Sequence, residues 1–151
     1  MKVSKRGEYG MRALIALASL PDPAGVMQIK EIATREQIPV KFLEQILLTL
    51  KNAGLVKSRM GSGGGYHLGK PAGQITLGQV VRILDGPLAP ITCVSQTAYE
   101  KCGCPDEDSC GLRLVMLDVR NAIAGILDQT TLADVARRVE VVKLEHNDIE
   151  A

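Results

Sequence analysis

A chain of 151 residues with 46% hydrophobic side chains is long enough to bury a core without staples, so disulfides are not needed for folding. No apolar run reaches the roughly 18 residues of a membrane span, and Glu8 and Arg12 interrupt the basic start MKVSKRGEYGMRALIALASL, which excludes a secretory leader there. The net charge of +1 hides a division: residues 1–70 carry 11 Lys/Arg against 5 Asp/Glu, and residues 71–151 carry 7 against 12, as expected of a polyanion-binding module joined to a second unit.

Taken in chain order, Ser4 caps a predicted helix to about Leu20, with Met11, Leu14, Ile15 and Ala18 on one stripe. A shorter helix is predicted from about Gln28 to Glu36, with Ile29, Ile32 and Ala33 inward, and Ile38-Pro39 makes a turn in which Pro39 suits the first position of the next helix. That third helix, VKFLEQILLTLKNAGL, buries Leu43, Ile46, Leu47 and Leu50 at i, i+3, i+4 and i+7. It leaves Lys41, Glu44, Gln45 and Thr49 on its other faces and stops at Gly54. Two helices, a tight turn and a third helix with a polar face describe a helix-turn-helix. Leu55 to Arg59 and Tyr66 to Leu68 then read as short strands joined by Gly61-Ser62-Gly63-Gly64-Gly65, a hairpin placed as a wing, whose glycines permit close approach to a phosphate. Gly64 to Lys70 also fits G-x-x-x-x-G-K, but Pro71 replaces the magnesium-binding hydroxyl and no apolar helix follows, so a P-loop is rejected.

Thr76 caps a helix LGQVVRILD that ends at Gly86-Pro87. A long helix opens near Ser109 or Cys110 and runs to about Gln129. Its Leu112, Met116, Val119, Ile123 and Ile126 are spaced 4, 3, 4, 3, with Val115, Ala122 and Leu127 widening the stripe, a short heptad seam suited to an identical helix across a two-fold axis. Thr131 caps a last helix, TLADVARRVE, followed by a tail that reads as frayed. The fold class is mainly α with a small β-wing. Residues 1–72 form a winged helix-turn-helix domain, 73–90 a connecting helix and turn, 91–110 a cysteine loop, 111–140 the dimerisation and final helices, and 141–151 the tail.

Enzymatic chemistry has no foothold, because His67 and His146 lie in the wing and the tail and no nucleophile–base pair is evident. Nucleic-acid binding has several supports. Glu44 suits a cytosine amine, Gln45 an adenine edge, and Lys41 a phosphate or guanine. Arg59, Ser62 and the amides of Gly63 and Gly64 suit the neighbouring backbone or minor groove, and Lys5, Arg6, Lys51 and Lys57 add sequence-independent affinity. All four cysteines, Cys93, Cys102, Cys104 and Cys110, fall in TCVSQTAYEKCGCPDEDSCG. In a cytoplasmic chain clustered thiols stay reduced and bind metal more often than each other. Four thiols also suit tetrahedral zinc, although paired C-x2-C motifs are absent, and metal-free thiol sensing is a third option that the acidic Pro105–Ser109 run disfavours.

The segments SKRGEYGMRALIALA, FLEQILLTLKNAGLVKSRMGSGGGYHLGKP, ITLGQVVRILDGPLAP and TTLADVA resemble the IscR, NsrR and CymR group of bacterial winged-helix repressors, the Rrf-two superfamily, over roughly residues 1–138. The resemblance implies a homodimer that reads a palindromic operator in double-stranded DNA with its third helix and wing. It also implies an iron-sulfur cluster, 2Fe-2S or 4Fe-4S, held by three cysteines in the loop before the long helix. Cys104 and Cys110 keep the family's C-x5-C interval, and Cys93 keeps its place after the Gly86-Pro87 turn, with ten residues between it and Cys104. The implied ligands are Cys93, Cys104 and Cys110, with Cys102 as the alternative. IscR-like members place a histidine three residues after the last cysteine, where this chain has Arg113, whose guanidinium cannot ligate iron. NsrR-like members borrow an acidic side chain from the partner's first helix, and Glu8 occupies the matching position; a carboxylate there is also favourable to the helix dipole alone. CymR-like members imply the alternative of a metal-free regulator controlled by a partner protein or by thiol oxidation.

Overall fold

The computed structural model describes residues 1–150. Its elements are α1 (Lys5–Ala18), α2 (Ile29–Glu36), α3 (Val40–Asn52), β1 (Val56–Arg59), β2 (Gly65–Leu68), α4 (Leu77–Asp85), α5 (Gly111–Gln129) and α6 (Leu132–Glu150), with 3-10 turns at Ala72–Gln74 and Thr92–Val94. No helix among the described residues is long and apolar enough to cross a membrane.

One main core joins α1, α2, α3, β1, α4 and the start of α6. Leu14, Ile32, Leu43, Ile46, Leu47, Leu50, Leu55, Val80 and Leu132 have no solvent exposure. Ser4 caps α1, its Oγ accepting from the Gly7 amide at 3.1 Å, and also bonds the Asp85 carboxylate at the end of α4. The buried face of α1 is wider than the predicted stripe: Gly7, Gly10, Ala13, Leu14, Ala16 and Leu17 are enclosed, whereas Met11, Ile15 and Ala18 lie at the edges of the core. The reason is close approach by α4, since a Cβ at Gly10 would collide with Leu84 and one at Gly7 with Asp85.

The α2–α3 turn rests on Gln37 in the left-handed region (φ 55°, ψ 51°) and on the Ile38 amide, which donates to the Ala33 carbonyl at 2.9 Å. Arg12 of α1 donates to the Glu36 carbonyl, so a cation satisfies the end of α2. Pro39 sits one residue earlier than expected, as the extended cap and not inside the first turn of α3. At the other end Gly54 (φ 80°) donates to Lys51 at 3.0 Å and Leu55 donates to Leu50 at 3.0 Å. These paired bonds close a helix by the Schellman pattern, with Leu55 buried behind Leu50.

β1 and β2 pair antiparallel, Val56 opposite Leu68 and Arg59 opposite Gly65. Met27 adds a third, single-residue rung by exchanging hydrogen bonds of 2.9 and 2.8 Å with Tyr66, so the chain entering α2 clamps the wing to the body. The Thr130–Leu132 segment pairs with Ile75–Leu77, placing the starts of α4 and α6 side by side. Arg82 and Asp128 form a bidentate pair at 2.5 and 2.9 Å that ties α4 to α5, and this bond holds the Asp128 carboxyl below its usual range. A smaller cluster of Val81, Leu88 and Ala124 seats α5 on α4. The predicted frayed tail is helical instead: α6 continues to Glu150, although residues 140–150 are exposed throughout.

Candidate nucleic-acid interface and cysteine loop

α3 is positioned by burial of Leu43, Ile46, Leu47 and Leu50, and the same rotation leaves Lys41, Glu44 and Gln45 exposed on the opposite side. Leu48 joins them at 58% exposure. It lies off the buried stripe, which is the only sequence signal for it, and an apolar side chain on a groove-facing helix suits a thymine methyl. Arg6 is drawn inward instead of outward: its Nη2 donates to Thr49 Oγ1 at 2.7 Å while its Nε is buried without a partner, so it braces α1 against α3. Lys5 stays exposed and pairs with Glu8 at 3.2 Å, and Lys51 reaches Ser58 Oγ at 3.0 Å.

The wing's tip is Met60 to Gly63, all exposed, with Gly61 and Gly63 in the left-handed region at φ 95° and 81°. Gly64 is not available to a phosphate as expected, because it is buried and its amide is spent on the Gly61 carbonyl at 3.0 Å. Glycine is required there because a Cβ would strike the Arg59 carbonyl, and Gly65 lies 2.7 Å, measured from a Cβ position, from the Met27 carbonyl. Arg59 reaches back to the Ala24 carbonyl at 3.4 Å, leaving Ser62, Gly63 and the exposed Met60 at the tip.

All four cysteines are free thiols. Cys93 is 4% exposed in the Thr92–Val94 turn, Cys102 and Cys110 are half-buried and Cys104 is exposed. Cys110 is the N-cap residue of α5. Cys104 is the hub of the thiols: hydrogen bonding to Cys102 and then to Cys110 pushes its thiol up to about 11. Cys102 moves the opposite way, lowered by bonds from the Cys104 amide and thiol. The acidic run acts against thiolate at Cys102 through Glu107, as expected, but these two donors outweigh it. Desolvation raises the Cys93 thiol, with smaller upward contributions from Cys102 and Glu107 and a downward one from Arg113. The four thiols lie within one loop and are a donor set suited to soft thiolate ligation, although no group of three or more His, Cys, Asp or Glu among the described residues is arranged as a metal site. Glu8, in its own chain, is held by Lys5 and by Arg12 at 3.6 Å.

Arg113, in place of the histidine, is bonded to Glu107 at 3.3 Å, and Tyr99 Oη donates to the same carboxylate at 2.6 Å. On α5 the predicted seam is split. Ile123 and Leu127 pack toward the body and Met116 is half-buried, whereas Leu112, Val115, Val119 and Ile126 are exposed at 3, 4 and 7 residue intervals.

A family model described as Rrf2, iron-dependent transcriptional regulator, matches residues 3–138. The chain belongs to the Rrf2 family. The rrf2-like HTH-type transcriptional regulator of Rhodobacter capsulatus is 39% identical over 135 residues, covering 87% of this chain and 90% of that one. The structure of CymR, the global cysteine regulator of Bacillus subtilis, superimposes with a TM-score of 0.77 at 35% identity over 91% of this chain and 98% of that one. IscR of T. potens gives 0.74 at 31% identity over 94% and 90%. This Rrf2 protein is therefore a winged-helix transcription regulator and not an enzyme.

Proposed function

We propose that this Rrf2 protein is a cytoplasmic homodimer that binds a palindromic operator, as a repressor, and reports redox state, iron-sulfur supply or nitric oxide through an iron-sulfur cluster in residues 93–110. The observation that carries the reading is the position of the thiol loop: it follows α4 of the winged-helix body, carries a buried cysteine in a turn packed on α5, and ends at the N-cap of α5. A change of state in the loop therefore acts on the orientation of α5 relative to the body, and with it on the spacing of two reading heads. Cys93, Cys104 and Cys110 are the proposed ligands, Cys102 the alternative, and Glu8 of the second copy the proposed oxygen donor. The cluster would supply one-electron exchange and reactivity toward oxidants and nitric oxide. In DNA, Lys41, Glu44 and Gln45 enter the major groove, with Ser62, Gly63 and Lys5 at the flanking phosphates. The exposed stripe Leu112, Val115, Val119 and Ile126 is the proposed dimer seam.

A second reading, a metal-free regulator governed by thiol oxidation or a partner protein, draws on one specific observation: the Cys104 thiol interacts with both Cys102 and Cys110, which pairs neighbouring thiols within the loop. Similarity to CymR supports it equally. Anaerobic purification with an absorption spectrum and iron and sulfide analysis separates the two. Coloured protein containing both elements is expected, and colourless protein passes the role to the thiols alone. Salt-dependent retardation of a palindromic promoter fragment tests DNA binding in either case, and no retardation in any state removes the regulator reading of this site.

A further inference from the structure

Cys93 is the one thiol of the loop that solvent scarcely reaches, and the turn that carries it packs against α5. The Glu100 amide donates to the Thr92 carbonyl at 3.3 Å, which brings the segment around residues 98–100 back over the turn that carries Cys93. The Tyr99 hydroxyl is 2.6 Å from both Glu107 carboxylate oxygens, and Arg113, at the start of α5, holds the same carboxylate at 3.3 Å. Tyr99 of the loop and Arg113 of α5 thus meet on one carboxylate whose side chain is only 17% exposed. Beyond Glu107, Asp106 accepts from the Asp108 amide at 3.1 Å and the Ser109 hydroxyl at 2.5 Å, so the far side of the loop is held separately. The phenol is held hard enough that its acidity falls and its pKa is pushed up to about 12, the Glu107 bond being the main cause. The charges of Glu107 and Arg113 act on the Cys93 thiol in opposite directions, Glu107 raising it and Arg113 lowering it.

We propose that Tyr99, Glu107 and Arg113 form a latch that closes the loop over Cys93, so that this thiol meets solvent, and anything thiol-reactive in it, only after the latch opens. The proposal rests on residues 93–110 being the sensing loop and adds to it an order of events: Cys102, Cys104 and Cys110 are reached first and Cys93 last. These latch residues are positioning residues that touch no ligand. Tyr99 is half-exposed, so the latch opens at the solvent edge without disturbing the core.

The test is the alkylation rate of each cysteine by iodoacetamide, followed by mass spectrometry on reduced, metal-free, full-length protein. With each rate divided by that thiol's own thiolate fraction, taken from its pH profile, Cys93 should be the slowest in the unaltered protein. Tyr99→Phe removes one hydrogen bond to a charged acceptor and leaves the Glu107 charge in place. It should speed Cys93 roughly tenfold, from the larger open fraction, and leave Cys104 unchanged. Glu107→Ala should act similarly, and Glu107→Gln, which keeps an acceptor for the phenol, should restore part of the protection. Cys93 labelling at the unaltered rate in Tyr99→Phe would overturn the latch, and so would an equal acceleration of all four cysteines, which indicates general loosening. Iron and sulfide content is measured separately: protein that never binds iron removes the cluster reading but leaves the labelling comparison intact.

Discussion

Gln45 and Lys41 share the exposed side of α3 but are expected to do different work. Gln45→Ala should cost about 1–3 kcal/mol of operator affinity and relax preference at one base position, whereas Lys41→Ala, if it meets phosphate, should weaken all sequences alike and lower the salt slope by about 1. Retardation across a salt series, with specific and scrambled duplexes, reads both. Among the thiols, Cys102 is the one lowered from its ordinary value. Since alkylation follows the thiolate, its rate in metal-free protein should rise at lower pH than that of Cys104, which is raised to about 11. Cys104→Ala, which removes the thiol donor but keeps the amide, should shift the Cys102 profile part of the way to higher pH. An unchanged profile would mean that the Cys104 thiol does not donate to it. The residue types at these positions could be read in the chain, but the direction of each shift could not, because it depends on which sulfur donates to which.

The wing shows how an element's glycines divide between turn and packing. Gly64→Ala puts a methyl against the Arg59 carbonyl, a backbone atom that cannot swing aside, and should cost about 1–3 kcal/mol with a matching fall in melting temperature. Gly73→Ala, with open space around it, serves as the control and should be neutral or slightly stabilising. The hairpin was legible from two short apolar runs around a glycine cluster. Its third rung at Met27 was not, since a single paired residue leaves no period in the chain. Helix α3 was legible to within its cap because four leucine-type side chains at 3.6-residue spacing admit one buried face. The α1 face was legible only in part: Gly7 and Gly10 carry no hydrophobic signal, and it is the absence of their side chains that lets α4 approach.

At the scale of the molecule, α5 carries two apolar faces, and only one is used within the chain. Val115→Glu places a charge on a side chain that is already 57% exposed, so the single chain should fold normally. If the stripe is the dimer seam, the same change should convert the protein to a monomer by light scattering and abolish operator retardation. A dimer that persists would move the interface elsewhere.

By itself, the sequence determined the winged helix-turn-helix, the polar face of α3, the grouping of four cysteines before a long helix, and the family. The first three depend on periodicity, turn chemistry or spacing within a short window, where local geometry follows directly from residue type, and the family on resemblance to known members. Only the tertiary structure decided that Arg6 braces α1 to α3, that Ile123 and Leu127 turn inward while Val115 stays out, and that Tyr99 and Arg113 meet on Glu107. Those are contacts between segments whose relative placement is set by how the whole core packs, and no local pattern encodes it.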